Sequence, residues 1–339
     1  MQIPINKTIK MLLKTEDELF DLIVDQNHPF RKLKEIIKFE DLVKPMLSTY
    51  STLGTNAIPI ENGLKTLLIQ FWEDYSDRQM EKAIRENMAV RWFCGFSLTE
   101  QTPDHSYFSK LRKRIGTKRI ANFFEDVNKT LSDYRLFGNV FTFIDASTII
   151  TKTALWEERD SAIADGAKKL NNTNIEKYAE DKDARWGAKS KNNIWFGHKR
   201  HVAVDMRHGL IKKIAITNAS VPDFKAVAKI IPKQGMVFMD KIYDTKKTNT
   251  IVQSNNCFIG TIKKNNNKEK NRDIDKFHSK LRMPFESTFS RLNRRARYRG
   301  HVKVTMQAFL QAICYNLKKA VRLIDTNLIK NDFSTSLVV

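Results

Sequence analysis

The sequence predicts an α/β protein, in which a helical N-terminal domain is followed by a mixed-sheet domain with C-terminal helices. Up to about residue 137, apolar residues recur at three- and four-residue spacing, which is typical of amphipathic helices. From Val140 onward, short runs of apolar, β-branched and aromatic residues replace that spacing and indicate strands. A chain of 339 residues that is 41% hydrophobic is long enough to bury the core of each domain.

The helical pattern ends close to residue 138, which we take as the domain boundary. The predicted organisation is a helical domain at 1–137, a sheet domain at 138–325 and a C-terminal tail at 326–339. The polar stretch at about 151–193 contains tryptophans and is too long for a tight connection. We therefore expect an irregular insertion loop there.

Five segments of the N-terminal domain carry the helical pattern. They are 10–24, 29–38, 63–75, 78–93 and 107–115. Ser76 or Asp77 is a candidate N-cap of the fourth helix, and Asp104 after a proline marks the start of the fifth. Short polar side chains suit these positions because they accept hydrogen bonds from the free N–H groups of a first helical turn.

The second half of the chain alternates strands with helices. The predicted elements are a strand at 140–145, a hairpin of strands at 198–205 and 210–217, a helix at 224–231 capped by Asp223, strands at 236–240 and 257–262, and helices at 281–296 and 305–323. A ribonuclease-H-like mixed sheet has its elements in this order along the chain: strand, hairpin, helix, strand, helix, strand and helix. Acidic residues at the strand ends would then meet at one edge of that sheet.

The charge balance predicts an anionic partner. The chain has 59 lysines and arginines against 38 aspartates and glutamates, a formal charge of +21. A membrane binder would concentrate this charge beside an anchor or an amphipathic helix, and neither is visible in the sequence. Without a long apolar stretch or a signal-peptide pattern, we expect a cytoplasmic protein that binds DNA and no membrane.

The cysteines are too few and too widely spaced to predict a zinc site or a disulfide framework. Cys94, Cys257 and Cys314 each have apolar or aromatic neighbours, and the seven histidines show no metal-ligand spacing. We expect the three thiols to be buried packing residues in a reducing compartment.

Three carboxylates stand in contexts that indicate metal-dependent cleavage of phosphodiesters. Asp145 and Asp240 each end an apolar run, and Glu286 lies in a basic segment with helical spacing. Such chemistry commonly uses two divalent ions held by carboxylates, water and substrate oxygens. Two Mg²⁺ ions, or Mn²⁺ in their place, are therefore the expected cofactors, with Asp145 bridging both. The alternative for each aspartate is a turn former or helix cap.

Glu286 is surrounded by positive charge. Residues 263–303 contain 14 lysines and arginines against 4 acids. Arg282 precedes Glu286 by one helical turn, shares its helix face and is a candidate clamp for the phosphate under attack. In the alternative interpretation, Glu286 only neutralises a solvated charged helix.

Further basic and aromatic residues are candidate DNA contacts. The candidates are Lys110, Arg112, Lys113 and Arg114 on the helix at 107–115, and Arg291, Arg294 and Arg295 after Glu286. The first group would read bases or follow the DNA backbone. Segment 263–276 is either a basic loop that folds on DNA or a solvated linker. Trp156, Trp186 and Trp195 would either stack on an unpaired base or pack internally.

Several blocks in the expected order resemble the DDE transposases of bacterial insertion sequences, in particular the group named for insertion sequence five. They span most of the chain. The blocks are Phe93-Cys-Gly-Phe, segment 103–115, Asp183-Ala-Arg-Trp-Gly, Phe196-Gly-His-Lys-Arg-His-Val-Ala-Val-Asp, His208-Gly-Leu-Ile, Asp240-Lys-Ile-Tyr-Asp, and Arg282 with Glu286 four positions later.

The resemblance implies a ribonuclease-H-like catalytic domain and a Mg²⁺-dependent triad, which by motif position is Asp145, Asp240 and Glu286. It also implies cleavage at terminal inverted repeats and transfer of the 3′-hydroxyl ends into target DNA. The helical domain would serve DNA binding or dimerisation. The cell compartment would be a bacterial cytoplasm with the protein on the nucleoid. Because two element ends must be paired, a homodimer on DNA is expected.

Two residues depart from the family pattern. Ile242 stands where the family often has glycine, and Asn293 stands where a basic residue is usual. Arg291 or Arg294 is a candidate replacement for that basic residue. These departures keep open the alternative of a DNA-binding copy without catalysis. A ribonuclease-H-like nuclease outside transposition is a further alternative, although such an enzyme would not need the large helical N-terminal domain.

Overall fold

The computed structural model describes residues 15–50, 57–151, 175, 179–190 and 193–325. They divide into two units, one within Met1–Thr130 and Ala320–Val339, the other within Leu131–Lys319. Helices make up the described part of the first unit, and a six-stranded mixed sheet with helices makes up the second. The predicted α/β class is confirmed.

The first unit is built around a buried helix. Its described helices are α1 (Glu16–Ile23), α2 (Pro29–Ile36), α3 (Phe39–Val43), α4 (Ile60–Trp72), α5 (Asp77–Glu86), α6 (Met88–Cys94) and α7 (His105–Asp133). Every residue of α4 from Gly63 to Trp72 is buried. The aromatic ring of Phe93 packs against Phe30 and Phe39, at centroid distances of 5.0 and 5.7 Å. A hydrophobic core therefore holds these short helices together.

Two predicted helices have different bounds in the structure. The segment at 78–93 is two helices, because Asn87 is non-helical and its side chain accepts a hydrogen bond from Val90 N at the start of α6. The helix predicted at 107–115 continues to Asp133 across a kink at Gly116. The φ of Gly116 is 74°, which glycine adopts with little strain because it has no Cβ. The first five residues of the predicted helix at 10–24 lie outside the described residues.

The second unit has a mixed sheet in the order β2-β3-β1-β5-β6, with β4 paired to β3. Antiparallel pairing joins β1, β2 and β4 to β3, and parallel pairing joins β1 to β5 and β5 to β6. The strands are β1 (Phe141–Ile150), β2 (Arg185–Ser190), β3 (Asn193–Asp205), β4 (Ile211–Asn218), β5 (Gly235–Met239) and β6 (Cys257–Thr261). The helices are α8 (Val227–Ile230), α9 (Lys246–Ser254), α10 (Arg272–Ser290) and α11 (His301–Asp325).

Unequal strand lengths create a notch at the centre of this sheet. The pairing of β1 with β5 ends at Ile144 and Met239, whereas β1 continues to Ile150 along β3. Asp145 therefore lies in the middle of β1 and does not end it, which corrects the prediction. On the β5 side, residues 145–149 of β1 pair with no described strand and face a gap in the sheet, whereas Ile150 is bridged there to Arg295.

Apolar contacts cover the two faces of the sheet. On one face, Ile144 and Ala203 join a core cluster with residues of α8 and α9. On the other face, Phe143 packs against Phe289 of α10 at a centroid distance of 5.4 Å. The side chain of Arg200 donates to Gln311 of α11 on that face. Since side chains alternate along a strand, β1 contributes to both faces.

Further predictions of element bounds are corrected. Residues 223–226 form a 3-10 turn that precedes the short α8, and Asp223 makes no capping hydrogen bond. Helix α10 begins at Arg272 and ends at Ser290, with Pro284 inside it. Part of the predicted insertion at 151–193 is the strand β2, and most of the rest lies outside the described residues.

The three cysteines are buried, as predicted, and each is a free thiol in the structure. Among the described helices, none has the length and apolar content needed to cross a membrane.

Candidate active site

Two of the predicted acids meet at the notch. Asp145 follows Ile144 on β1, and Asp240 follows Met239 on β5, so the two carboxylates come one residue after the last pair of adjacent parallel strands. Neighbouring strands lie about 4.8 Å apart, which brings the two backbones close together. Both residues line a cleft of about 620 Å³.

The half-buried carboxyl of Asp145 is poorly solvated. Burial raises the pKa of Asp145 to about 6, and the negative charge of Asp240 adds to this rise. A hydrogen bond from Ala146 N and the positive charges of Lys189 and Arg282 act in the opposite direction. A carboxylate in this environment gains from a cation brought close to it.

Arg282 on α10 connects the second and third acids. Its Nη2 donates to Glu286 Oε1 at 3.2 Å, and its Nη1 lies 3.5 Å from Asp240 Oδ1. The Arg282 side chain is 10% exposed, and its guanidinium carbon lies 5.1 Å from the centroid of the Phe143 ring. Nε and Nη1 have no aligned hydrogen-bond acceptor within the described part of the chain.

The donor chemistry of the two aspartates fits a divalent cation. Carboxylate oxygens are the ligands that Mg²⁺ and Mn²⁺ prefer, and a cation would relieve the repulsion between Asp145 and Asp240. Glu286 is 56% exposed and is paired with Arg282. Within the described ranges, no three His, Cys, Asp or Glu side chains are close enough together to form a metal site. The structure therefore brings Asp145 and Asp240 together and leaves Glu286 at the outer side of Arg282.

The cleft contains charged residues that the sequence did not predict as part of the site. The additional charged residues lining it are Lys189, Lys199, Lys264 and Asp223. They come from β2, β3, a loop after β6 and the 3-10 turn, and nothing local in the sequence links these segments. Two signals were available, because Lys199 lies in the block before the second acid and Lys264 lies in the basic segment 263–276.

Neither departure from the family pattern strains the backbone. Ile242 lies in the 3-10 turn Lys241–Tyr243 and is absent from the residues of positive φ, so the position does not require glycine. Its side chain lines the cleft. Asn293 lies beyond the end of α10, where its Oδ1 accepts from Arg295 N and its carbonyl accepts from Arg200. Asn293 thus shapes the turn after the helix.

The basic residues predicted for α7 differ in their availability. Lys110, Lys113 and Arg114 are exposed, and Arg114 lies over the ring of Tyr50. Arg112 is 11% exposed and forms two hydrogen bonds to Asp77, at 2.8 and 2.7 Å. This pairing makes Arg112 part of the helical unit's own packing, whereas the other three side chains face solvent.

The basic segment after α10 is fixed against the end of β1. Ile150 N donates to Arg294 O at 2.6 Å, and Ala296 N donates to Ile150 O at 2.9 Å. The side chains of Arg291, Arg294 and Arg295 are exposed. The segment thus presents these arginines from an ordered backbone.

The tryptophans and the basic loop have distinct environments. Trp186 belongs to a small buried cluster with Phe196, whereas Trp195 lines the cleft, and Trp156 lies outside the described residues. Within segment 263–276, the side chain of Asp244 accepts hydrogen bonds from Lys264 N and Asn267 Nδ2. These hydrogen bonds tie the loop to the end of the 3-10 turn that follows Asp240.

Comparison with known families matches both halves of the chain. A family model described as "Transposase domain (DUF772)" matches residues 18–114, and one described as "Transposase DDE domain" matches residues 137–317. No solved structure matches the chain. The second family implies a ribonuclease-H-like fold, in agreement with the mixed sheet. Since that match alone spans more than half of the sequence, the chain belongs to the DDE transposases of insertion-sequence type.

Proposed function

We propose that this transposase binds the terminal inverted repeats of its element, cleaves the DNA at the element ends and transfers the 3′-hydroxyl ends into target DNA. The observation that carries the proposal is the convergence of Asp145 and Asp240 in one cleft, with Arg282 connecting Asp240 to Glu286. Acids beside a buried guanidinium are suited to hold cations and to bind a phosphodiester.

Asp145, Asp240 and Glu286 are the residues that would hold divalent metal, with Mg²⁺ as the proposed ion and Mn²⁺ as a substitute. Two bound ions supply activation of the attacking oxygen and neutralisation of the leaving one. The chain itself contributes the placement of its acids. Asp240 is oriented by Lys241 N, which donates to its Oδ1 at 2.8 Å, and Asp145 is oriented by Ala146 N at the same distance.

Arg282 has two proposed roles. It holds the carboxylates of Asp240 and Glu286 in place, and its remaining N–H groups donate to the non-bridging oxygens of the phosphate under attack. The second role is supported by the nitrogens Nε and Nη1, which lack an aligned acceptor among the described residues. A guanidinium suits this task because its planar donors match phosphate oxygens.

Strand cleavage in vitro tests the proposal. A labelled duplex carrying the element's terminal repeat is incubated with Mg²⁺ or Mn²⁺ and with wild type, Asp240→Asn, Asp145→Asn or Glu286→Gln. We expect cuts at the repeat boundary for wild type, loss of cutting by at least about 100-fold in the three variants, and retained DNA binding. Asp273→Asn is the matched control, because Asp273 is an exposed carboxylate outside the cleft. Full cleavage by any of the three variants would remove that residue from the triad.

A DNA-binding copy without cleavage is the second candidate. It is favoured by Glu286, which is paired with Arg282 and half exposed instead of being grouped with both aspartates. In the same assay this candidate predicts metal-independent binding and no cuts by wild type. Parallel reactions with RNA–DNA hybrids and DNA junctions address the remaining alternative, since preferential cutting of a hybrid would indicate a nuclease outside transposition.

A further inference from the structure

The cleft holds an ion pair that the triad does not account for. Lys199 Nζ lies 2.9 Å from Asp223 Oδ1, and both residues line the same cleft as Asp145 and Asp240. The contact has the distance of an ion pair, although Oδ1 accepts no aligned hydrogen bond. The two side chains are only 13% and 15% exposed.

Lys199 is held more firmly than a typical surface lysine. It belongs to β3 between Thr148 of β1 and Thr217 of β4, so its backbone is fixed by strands on both sides. Its ammonium also donates to Val221 O at 2.9 Å and lies 5.9 Å from the Trp195 ring centroid. Of the three donors of the lysine ammonium, Val221 O accepts one, and the Asp223 carboxylate balances the positive charge.

The cost of this arrangement indicates a role beyond stability. Ordering a lysine side chain loses rotamer entropy, and a largely buried ion pair adds little net stability. Within the described residues, Lys189 lies on the edge strand β2 and Lys264 in the loop after β6, so neither is flanked by strands on both sides. Of the three lysines that line the cleft, Lys199 therefore has the most firmly fixed backbone.

We propose that Lys199 binds a non-bridging oxygen of one phosphate of the DNA strand in the cleft, and that Asp223 is a positioning residue that holds the ammonium there. This inference rests on the proposed function, because it assigns a contact with the DNA that the cleft would take. Asp223 acts through Lys199 and is not a metal ligand.

The contact is tested by changing the DNA phosphate and the Lys199 side chain separately and together. Terminal-repeat duplexes carry a neutral methylphosphonate at one phosphate at a time around the cleavage site. They are assayed for binding without divalent metal and for single-turnover cleavage with Mg²⁺. We expect one position at which neutralisation weakens binding and cleavage by wild type about 10-fold or more, the factor of a hydrogen bond between charged groups. Lys199→Gln should be insensitive to neutralisation at that same position.

The variants separate the contact from folding. Lys199→Gln is expected to slow cleavage of the unmodified duplex about 10- to 100-fold, and Lys199→Arg to restore part of the rate. Asp223→Asn should slow cleavage by a smaller factor and leave the Mg²⁺ concentration required for cleavage unchanged. The double variant Lys199→Gln with Asp223→Asn leaves no unpaired charge, so it should melt close to wild type and still cleave slowly. The exposed Lys225, on the same 3-10 turn as Asp223, provides the control Lys225→Gln, expected at the wild-type rate.

Three results would overturn the inference. One is equal sensitivity of wild type and Lys199→Gln to every methylphosphonate. Another is a raised Mg²⁺ requirement in Asp223→Asn, which would make Asp223 a metal ligand. The third is a double variant that cleaves at the wild-type rate. A wild type that binds through a Lys199-dependent phosphate without cutting would count against the proposed cleavage function and in favour of this contact.

Discussion

At the scale of single residues, Arg282 determines how two of the acids are held. The sequence predicted that it shares a helix face with Glu286, and the structure adds its contact with Asp240 on β5. Asp240 is 35% exposed and Glu286 56%, so solvent screens both pairs. Their contribution to folding is therefore small, and their value lies in geometry.

Arg282→Lys separates these two contributions. A lysine keeps the charge but has no planar fork, so it cannot reach Asp240 and Glu286 together as arginine does. We expect cleavage to fall about 10- to 100-fold, as for a lost charged hydrogen bond, while the free energy of unfolding changes by about 1 kcal/mol or less. Single-turnover cleavage and thermal melting measure the two effects.

Arg272→Lys is the matched control, because Arg272 is exposed at the start of the same helix. Wild-type cleavage by Arg282→Lys would show that a point charge is sufficient at this position.

At the scale of elements, a buried histidine–aspartate pair anchors the chain before β2. Asp181 Oδ2 lies 3.1 Å from His198 Nε2, and neither side chain is exposed. Asp181 Oδ1 also accepts from the backbone N–H groups of Asp183 and Ala184. The pair therefore joins the described end of the predicted insertion to β3.

This anchor predicts acid-sensitive stability. Burial alone would raise the pKa of Asp181, but hydrogen bonds from His198 and backbone N–H groups outweigh it and lower the pKa. A lowered folded-state pKa stabilises the fold above the unfolded value of about 3.9, and this stability is lost as the pH falls through the folded pKa. We expect Asp181→Asn to cost about 2 kcal/mol at pH 7 and to flatten the pH dependence of unfolding below pH 4.

Denaturant unfolding at several pH values measures this effect. The control is Asp273→Asn, which removes an exposed carboxylate elsewhere in the unit. Parallel pH profiles for wild type and Asp181→Asn would contradict the assignment.

At the scale of the whole molecule, the formal charge of +21 suits a DNA partner. We propose that a homodimer pairs two element ends, since each end needs an active site. The mass of the purified complex with two terminal-repeat duplexes, measured by light scattering, is expected to correspond to two protomers and two DNA ends. One protomer bound to both ends would exclude this assembly.

The same charge predicts strong dependence of binding on salt. Affinity for the terminal repeat should fall steeply, with a slope of about −0.9 per phosphate contacted in a logarithmic plot, because cations are released from DNA. Lys199→Gln should reduce that slope by about one, and Lys225→Gln should leave it unchanged.

Hydrophobic periodicity by itself predicted the change from helices to strands near residue 138, the order of most elements along the chain, and the segments that carry Asp145, Asp240 and Glu286. Such patterns are formed by residues close together in the sequence, so the sequence alone is enough to recognise them. Only the tertiary structure decided that β5 stops at Met239 and opens a notch beside Asp145, that Arg282 contacts Asp240, and that Lys199 meets Asp223. Strand register and side-chain pairing join residues far apart in sequence, and packing in three dimensions selects them.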